Sequence, residues 1–491
     1  MSKILFTDAR FYSPGKVYNA MLCEDGIITE LFEAIPNPSP DWQIESLGNC
    51  WVYPGFTDTH THSFEGGLYS NGLDLSGVAS IAELQERVRL HCISRDKGEL
   101  IFAWRFDELK THEGRFPTRF ELDRVSPHNP LVLRRIDGHS CMLNRLALAE
   151  IPLMNPASEL LRGADNDQAV HHFHANVRED QILRAYHSAA EIALKGGFSS
   201  IHTMIGDAQY SNTHYRLIRD NLSGFKVRYS IYPQSFNLDD ALTLGAERIG
   251  GCILADGSFG SHTAALTEPY LGTNELGKLY QSNGFWDSFV AKAHERNLQV
   301  AVHCIGDRAI AQINQAYLKA RKASDKDLRH QLIHCELVSD ELLEQIVLSG
   351  AAAVVQPAFD HYWGARGGFY EKALGEERWR LLNRFKSLSE SGVRLCFGSD
   401  WYITELDALK GIHAAINHHN PEERININEA IAAYTQNAAW LSHEEEIKGS
   451  LSIGKVADMT VLNKELTEDF QLSELEVARV YKAGVLQYAK P

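Results

Sequence analysis

The sequence is poor in the features that would send a chain out of the cytosol or onto nucleic acid. Its eight cysteines contain no C-x-x-C pair, so neither a zinc-knuckle framework nor a thioredoxin-type motif is expected. No apolar run approaches the ~18–20 residues needed to cross a bilayer. The opening stretch MSKILFTDARFYSPG lacks the apolar core and small-residue cleavage site of a signal peptide. Basic excess is also absent. The formal net charge is -16, which argues against nucleic-acid or anionic-membrane partners, because both need a basic face. A reducing, cytoplasmic setting follows, with Cys252, Cys304, Cys335 and Cys396 read as free thiols inside strand-like runs. What is present in quantity is histidine, 22 residues in a chain of 491, several of them at the ends of apolar runs.

Length and composition fit a soluble globular protein with a large core. Short strand patterns at Ile4–Phe6, Met21–Cys23 and Ile27–Leu31 recur near the other terminus at Val456–Val461 and Ala478–Tyr481. Neither end has enough apolar surface to fold alone. Residues 1–50 and 449–491 are therefore expected to form a composite β-sandwich, with residues 51–448 inserted between them. The insert repeats a strand-then-helix unit. Strands are predicted at Trp51–Thr59, Phe198–Met204, Lys226–Tyr232, Gly251–Ala255, Gln299–His303, Gln331–His334, Ala352–Gln356 and Val393–Gly398, with helices such as Trp286–Arg296, Arg308–Lys322 and Asp340–Leu348. Eight such units predict an α/β fold, a (β/α)8 TIM barrel. The long gap after the first strand predicts a cap insertion over about residues 68–175.

The chemistry gathers at the ends of those strands. In Thr57-Asp58-Thr59-His60-Thr61-His62 the period of two puts His60 and His62 on one side. Two neutral imidazoles presented together suit zinc and similar metals. An H-x-H pair alone is weak evidence, but His303, His334 and Asp400 end later strands, and such ends meet at one barrel mouth. A divalent ion with an open position lowers the pKa of bound water to about 7. Asp400 is suited to take a proton from that water as general base and return it as acid. His334 is either a ligand, of a second metal for example, or a neutral donor to the developing oxyanion.

These residues sit in motifs that resemble the amidohydrolase superfamily, within it the family 3 group that includes N-substituted formamide deformylase. The likeness runs through Pro54-Gly55-Phe56-Thr57-Asp58-Thr59-His60-Thr61-His62, Asp256-Gly257-Ser258, His303-Cys304-Ile305-Gly306-Asp307 and Gly398-Ser399-Asp400-Trp401. It also takes in the cap segment Asp137-Gly138-His139-Ser140 and the C-terminal pattern Ala433-Tyr434-Thr435 with Gly449-Ser450-Leu451. The resemblance implies a metal-dependent hydrolase of C–N bonds in an amide, formamide or N-acyl small molecule, using one or two divalent ions such as Zn2+. The alternatives are a deaminase of a cyclic amidine and an inactive barrel with a binding role. Two positions depart from the group. A metal-bridging lysine is replaced by Cys252, either a thiolate ligand or a small buried thiol too short to bridge unless strand or metal moves inward. An arginine is replaced by His262. His139, His262 and Trp401 are candidate substrate contacts, while His202 and the His171-His172-Phe173-His174 run are read as packing and loop residues. The partners expected are a small-molecule substrate and, through the cap surface, a second copy in a homodimer.

Overall fold

The computed structural model describes residues 3–135, 140–151, 158–162, 164–206 and 213–491. The chain divides into two compact units, Met1–His62 with Ala190–Pro491, and Ser63–Ala189.

In the larger unit both termini enter one sheet. Lys3–Ser13 pairs antiparallel with Ala20–Glu24 and parallel with Gln43–Pro54. Gln43–Pro54 pairs with Met459–Leu462, and beyond it lie Val477–Lys482 and Val485–Ala489. All belong to a single eight-stranded hydrogen-bonded sheet. Strands three places apart in a flat sheet would be about 14 Å apart. Yet Phe6 on the first strand meets Tyr481, three strands away, with ring centroids 5.4 Å apart. The sheet therefore curls over on itself around Phe6, Phe11, Met21, Val52, Met459 and Tyr481. The boundary expected at residue 50 is too early. Gln43–Pro54 belongs to this sheet, and the expected strand Trp51–Thr59 is divided at Gly55, where a Cβ would lie 2.1 Å from Ser199 Oγ. Only glycine lets the chain pass that close as it leaves one sheet for the next.

Eight parallel strands follow, one for each predicted strand. They are β1 (Phe56–Thr61), β2 (Phe198–Ile205), β3 (Arg228–Pro233) and β4 (Arg248–Leu254), then β5 (Gln299–Cys304), β6 (Gln331–His334), β7 (Ala352–Val355) and β8 (Leu395–Phe397). Parallel ladders join β1–β2–β3 and β4–β5–β6–β7–β8. At one seam Asp400 N donates to His60 O (2.9 Å) and His62 N to Trp401 O (2.6 Å), tying the end of β1 to the chain just past β8. At the other, the Arg248 guanidinium of β4 lies over the Tyr232 ring of β3. The arrangement is a TIM-barrel-like α/β fold.

Every residue of β1, β2, β5, β6 and β7 is buried, as befits parallel strands covered on both faces. The helices between them are amphipathic. In Asp307–Ala323 the buried Ala309, Ile310, Ile313, Ala316, Tyr317 and Ala320 fall at helical spacing. Asp340–Ser349 starts on a Ser339 cap and stops at Gly350 in the left-handed region (φ 68°).

The smaller unit contains the whole of the expected 68–175 excursion and has its own core. Leu73–Asp74, Ile101–Phe106, Leu131–Arg135, Ser140–Leu143 and Leu160–Arg162 form a five-stranded sheet. Helix Ile81–Ile93 packs Leu84 and Val88 against Ile101, Ala103 and Leu133. The unit is wider than the excursion because helix Ser63–Asn71 packs on helix Glu179–Lys195. At Gly67 a Cβ would sit 1.9 Å from the Ala185 carbonyl.

Candidate metal centre

His60 is fully buried near the end of β1, and His62 follows just beyond it. Their rings are 5.4 Å apart and nearly perpendicular. Asp400 Oδ1 lies 3.3 Å from His60 Nε2 and 3.1 Å from His62 Nε2. The His334 ring is 5.5 Å from His60 and 4.5 Å from His303. The expected set from β1, β5, β6 and the end of β8 is thus gathered in one place. His334 (φ 71°) and Asp400 (φ 55°) both hold left-handed backbone, a strained conformation for a non-glycine residue.

Cys252 joins the same group. One ligand atom each from His60, His62 and Cys252 lie within 4.8 Å of one another. A cysteine is too short to reach this far from a regular strand, and β4 is not regular here. Its ladder to β5 slips between Gly250 and Ile253, and Gly250 and Gly251 take φ of 93° and 94°. Such a bulge re-aims the side chain it carries. Neither glycine can be replaced: a Cβ would lie 2.2 Å from the Ala301 carbonyl at Gly250 and 1.9 Å from Met204 Sδ at Gly251.

The electrostatics fit a ligand set. Burial alone would raise the Cys252 thiol, but His303, His334, His60 and His62 around it hold it well below its ordinary value. Burial likewise opposes ionisation of Asp400, yet His60 and His62 keep its carboxyl far below the usual range. Burial disfavours a charged His303, and Cys252, followed by Asp256, outweighs this and pushes the ring up to about 9. His334 is lowered, by burial first and by His303 next. Its Nδ1 meets Gln356 Oε1 at 2.7 Å, so Nδ1 carries the proton and Nε2 keeps its lone pair. His60 Nδ1 and Nε2, His303 Nδ1 and Asp400 Oδ1 are buried without a hydrogen-bond partner. His60 Nε2 and Asp400 Oδ1 are close but off the hydrogen-bonding direction. Orphaned polar atoms in and beside the His60–His62–Cys252 group suit a divalent cation, and an imidazole, carboxylate and thiolate set suits zinc.

The remaining expected residues have other described contacts. His262 bonds Glu275 Oε2 through Nδ1 at 2.7 Å and stacks on Tyr270 at 4.4 Å. Those are the described contacts of its ring, and none is with the His60 group. Trp401 is buried, and its backbone forms the β1–β8 seam. His202 has both ring nitrogens engaged, with Tyr232 Oη at 3.0 Å and Ser442 Oγ at 2.9 Å, which makes it a packing residue. His174 packs on Phe64, Tyr69 and Phe102. His139 lies outside the described residues.

Three supporting residues were not singled out from the sequence. Asp58, fully buried, accepts from the backbone N–H of His60 (3.0 Å) and Ser399 (3.0 Å), locking β1 to the approach to Asp400. Asp256, also fully buried, accepts from Ala265, Gly306 and Ile305 N–H at 2.8, 2.8 and 3.0 Å and lies 3.7 Å from His303 Nε2. Gln356 sets the His334 tautomer. Asp58 and Asp256 belong to the family-like motifs, and that membership is the signal that marks them. Gln356 carries no such signal.

Comparison with known proteins bears on the whole chain. The sequence profile described as the amidohydrolase family matches residues 43–488. YtcJ of Bacillus subtilis (strain 168), an amidohydrolase by name, is 26% identical over 519 residues, covering 96% of each chain. The N-substituted formamide deformylase of Arthrobacter pascens is 25% identical over 515 residues, covering 92% of this chain and 91% of that one. Among solved structures, an uncharacterized metal-dependent hydrolase from Pyrococcus furiosus superposes with a TM-score of 0.80 at 24% identity, covering 94% of this chain and 99% of that one. The fold is shared with it.

Proposed function

The chain belongs to the amidohydrolase family, and from that premise we propose that it is a metal-dependent hydrolase acting on the C–N bond of a small amide, formamide or N-acyl compound. The observation that carries this reading is the approach of His60, His62 and Cys252 ligand atoms to within 4.8 Å, with Asp400 Oδ1 bare beside them. Similarity to a formamide deformylase over nearly the whole chain supports a formamide or related N-acyl substrate. No helix among the described residues is long and apolar enough to cross a membrane.

His60, His62, His303, His334, Asp400 and Cys252 would between them hold one or two divalent ions of the zinc class. When bound, such an ion supplies a nucleophilic water near neutral pH and polarises the substrate carbonyl. Asp400 takes the proton of the attacking water and delivers it to the departing nitrogen. Against burial, His60 and His62 hold its carboxyl far below the usual range, and a bound cation would favour the ionised form too, so Asp400 stands as the carboxylate that a proton acceptor must be. His334 offers an Nε2 lone pair, which favours a ligand over an oxyanion donor. Cys252, drawn inward by the bulge, stands as a thiolate where the group's lysine would be.

Two variants test the reading. His60→Ala with His62→Ala should lose metal from this centre while keeping the circular dichroism of a folded barrel. Asp400→Asn should keep much of the metal and lose at least about a hundredfold in kcat on a panel of N-alkylformamides and N-acyl amines. Wild-type turnover in Asp400→Asn removes Asp400 from the proton-transfer role. Release of ammonia from cyclic amidines, with no amide cleaved, would replace hydrolysis by deamination.

A further inference from the structure

A second group of metal-type donors lies in the larger unit and shares no residue with the first. Asp360 sits on helix Pro357–Trp363, which follows β7, and His418 and His419 follow helix Ala408–Ile416. One nitrogen of each imidazole and one carboxylate oxygen lie within 4.8 Å of one another. The three side chains are 0%, 4% and 2% exposed for His418, His419 and Asp360, so the cluster is closed to bulk water. We propose that Asp360, His418 and His419 form a second metal site that takes a divalent ion of the zinc class.

Hydrogen bonding alone does not satisfy the cluster. Asp360 Oδ2 accepts from His419 N–H at 2.9 Å, and Oδ1 meets His419 Nδ1. His418 Nε2 is 3.2 Å from the same Oδ1, yet off the hydrogen-bonding direction and without another partner, and His419 Nε2 is likewise buried and unpartnered. A buried ring nitrogen left in that state costs free energy unless something else occupies it. The remaining nitrogen of His418 is held by the Asn420 backbone, with Nδ1 3.0 Å from its N–H and 3.2 Å from its carbonyl; ligation through Nε2 takes the tautomer in which Nδ1–H donates to that carbonyl, the contact that fixes ring orientation in metal-bound histidines. Two imidazoles and a carboxylate are a donor set for zinc, with a water completing the tetrahedron.

The location gives the site a use. The helix carrying Asp360 also carries Phe359, whose ring stacks on His334 at 5.8 Å. Gln356, which holds His334 Nδ1, immediately precedes it. An ion on Asp360, His418 and His419 clamps this helix to the loop after Ala408–Ile416 and thereby steadies His334 from behind.

The test counts metal with the first centre removed. The folded His60→Ala/His62→Ala protein, dialysed against zinc and then buffer, should retain about one equivalent by elemental analysis, and adding His418→Ala should remove it. Because His418→Ala alters a buried ring, His419→Gln provides a gentler second variant, read by competition for zinc with a chromogenic chelator. A folded His60→Ala/His62→Ala protein that holds no zinc overturns the proposal, as does undiminished zinc binding after either His418→Ala or His419→Gln in that background. The two readings fail separately. Metal lost wholly on His418→Ala and untouched by the His60 and His62 substitutions would sustain this site and remove the first.

Discussion

Asp256 offers a test whose magnitude can be worked from the contacts. Its carboxylate is fully buried, with Oδ2 accepting from Ala265 N–H and Gly306 N–H and Oδ1 from Ile305 N–H. These bonds bind the loop after β4 to the loop after β5, next to His303. Asp256→Ala leaves three buried N–H groups without an acceptor. At about 1–3 kcal/mol for each such group, with some relief from entering water, the loss of stability is about 3–5 kcal/mol. Asp256→Asn is milder. One oxygen still serves Ala265 and Gly306, but the amide NH2 then faces Ile305 N–H, donor against donor, for about 1–3 kcal/mol. Urea denaturation followed by tryptophan fluorescence, on metal-stripped protein, should rank wild type above Asn above Ala. Metal affinity should fall in the same order as the His303 loop loosens. Equal stability of wild type and Asp256→Asn, or an Ala variant no worse than Asn, would refute the reasoning.

Other perturbations separate ligands from their supports. Cys252→Ser keeps the size but is a far weaker metal ligand, and it should lower zinc affinity at the first centre about tenfold or more, measured by chelator competition in the His419→Gln background; unchanged affinity would return Cys252 to the role of a packing thiol. Gln356→Leu removes the acceptor that sets the His334 tautomer and should cost about 10–100-fold in metal affinity or kcat/KM, whereas Gln356→Glu should retain more of both. Gly251→Ala drives a Cβ to 1.9 Å from Met204 Sδ and demands a left-handed alanine, so the bulge should reset and metal binding fall together with thermal stability. On the acid side, burial and then His294 push His330 down to about 3, so it is neutral when folded and takes up a proton on unfolding. Its contribution is complete above its ordinary 6.5 and is lost as pH falls toward about 3, at about 1.4 kcal/mol per pH unit. The pH slope of unfolding free energy in His330→Gln, compared with wild type between about pH 4 and pH 6, measures that term, and equal slopes would remove it.

The strand alternation made much of this legible, and the reason is physical. A parallel strand covered on both faces must be a short apolar run, and each of the eight such runs predicted from the sequence is a strand here. His60, His303, His334 and Asp400 interrupt those runs at one end with groups that are costly to bury unless they bind something, which is why they stand out. Boundaries were less legible. Trp51–Thr59 reads as one run, and only the steric demand at Gly55, a property of the assembled fold, divides it between two sheets. His262 stands out in the sequence by its place in a motif, and the structure adds that its ring is held by Glu275 and Tyr270, contacts that no local pattern encodes.

Cys252 shows how far a neighbour can alter what a residue is able to do. By itself it is a thiol too short for the position of a long bridging side chain. What changes this is the pair beside it, Gly250 and Gly251, which read as ordinary turn or strand glycines until both are seen at φ above 90°. A strand that bulges by two residues, Gly251 and Cys252, re-aims the side chain it carries, so a short soft ligand and a double glycine form one device. A substitution that restored a long side chain at 252 without also removing the bulge would overfill the centre. For that reason Cys252→Lys should fail to rebuild a lysine-type site by itself: metal content should fall below that of Cys252→Ser, and added bicarbonate, the source of a carboxylated lysine, should not restore it. Recovery of metal and activity with bicarbonate would mean that the bulge yields to the side chain, and that the two features are independent.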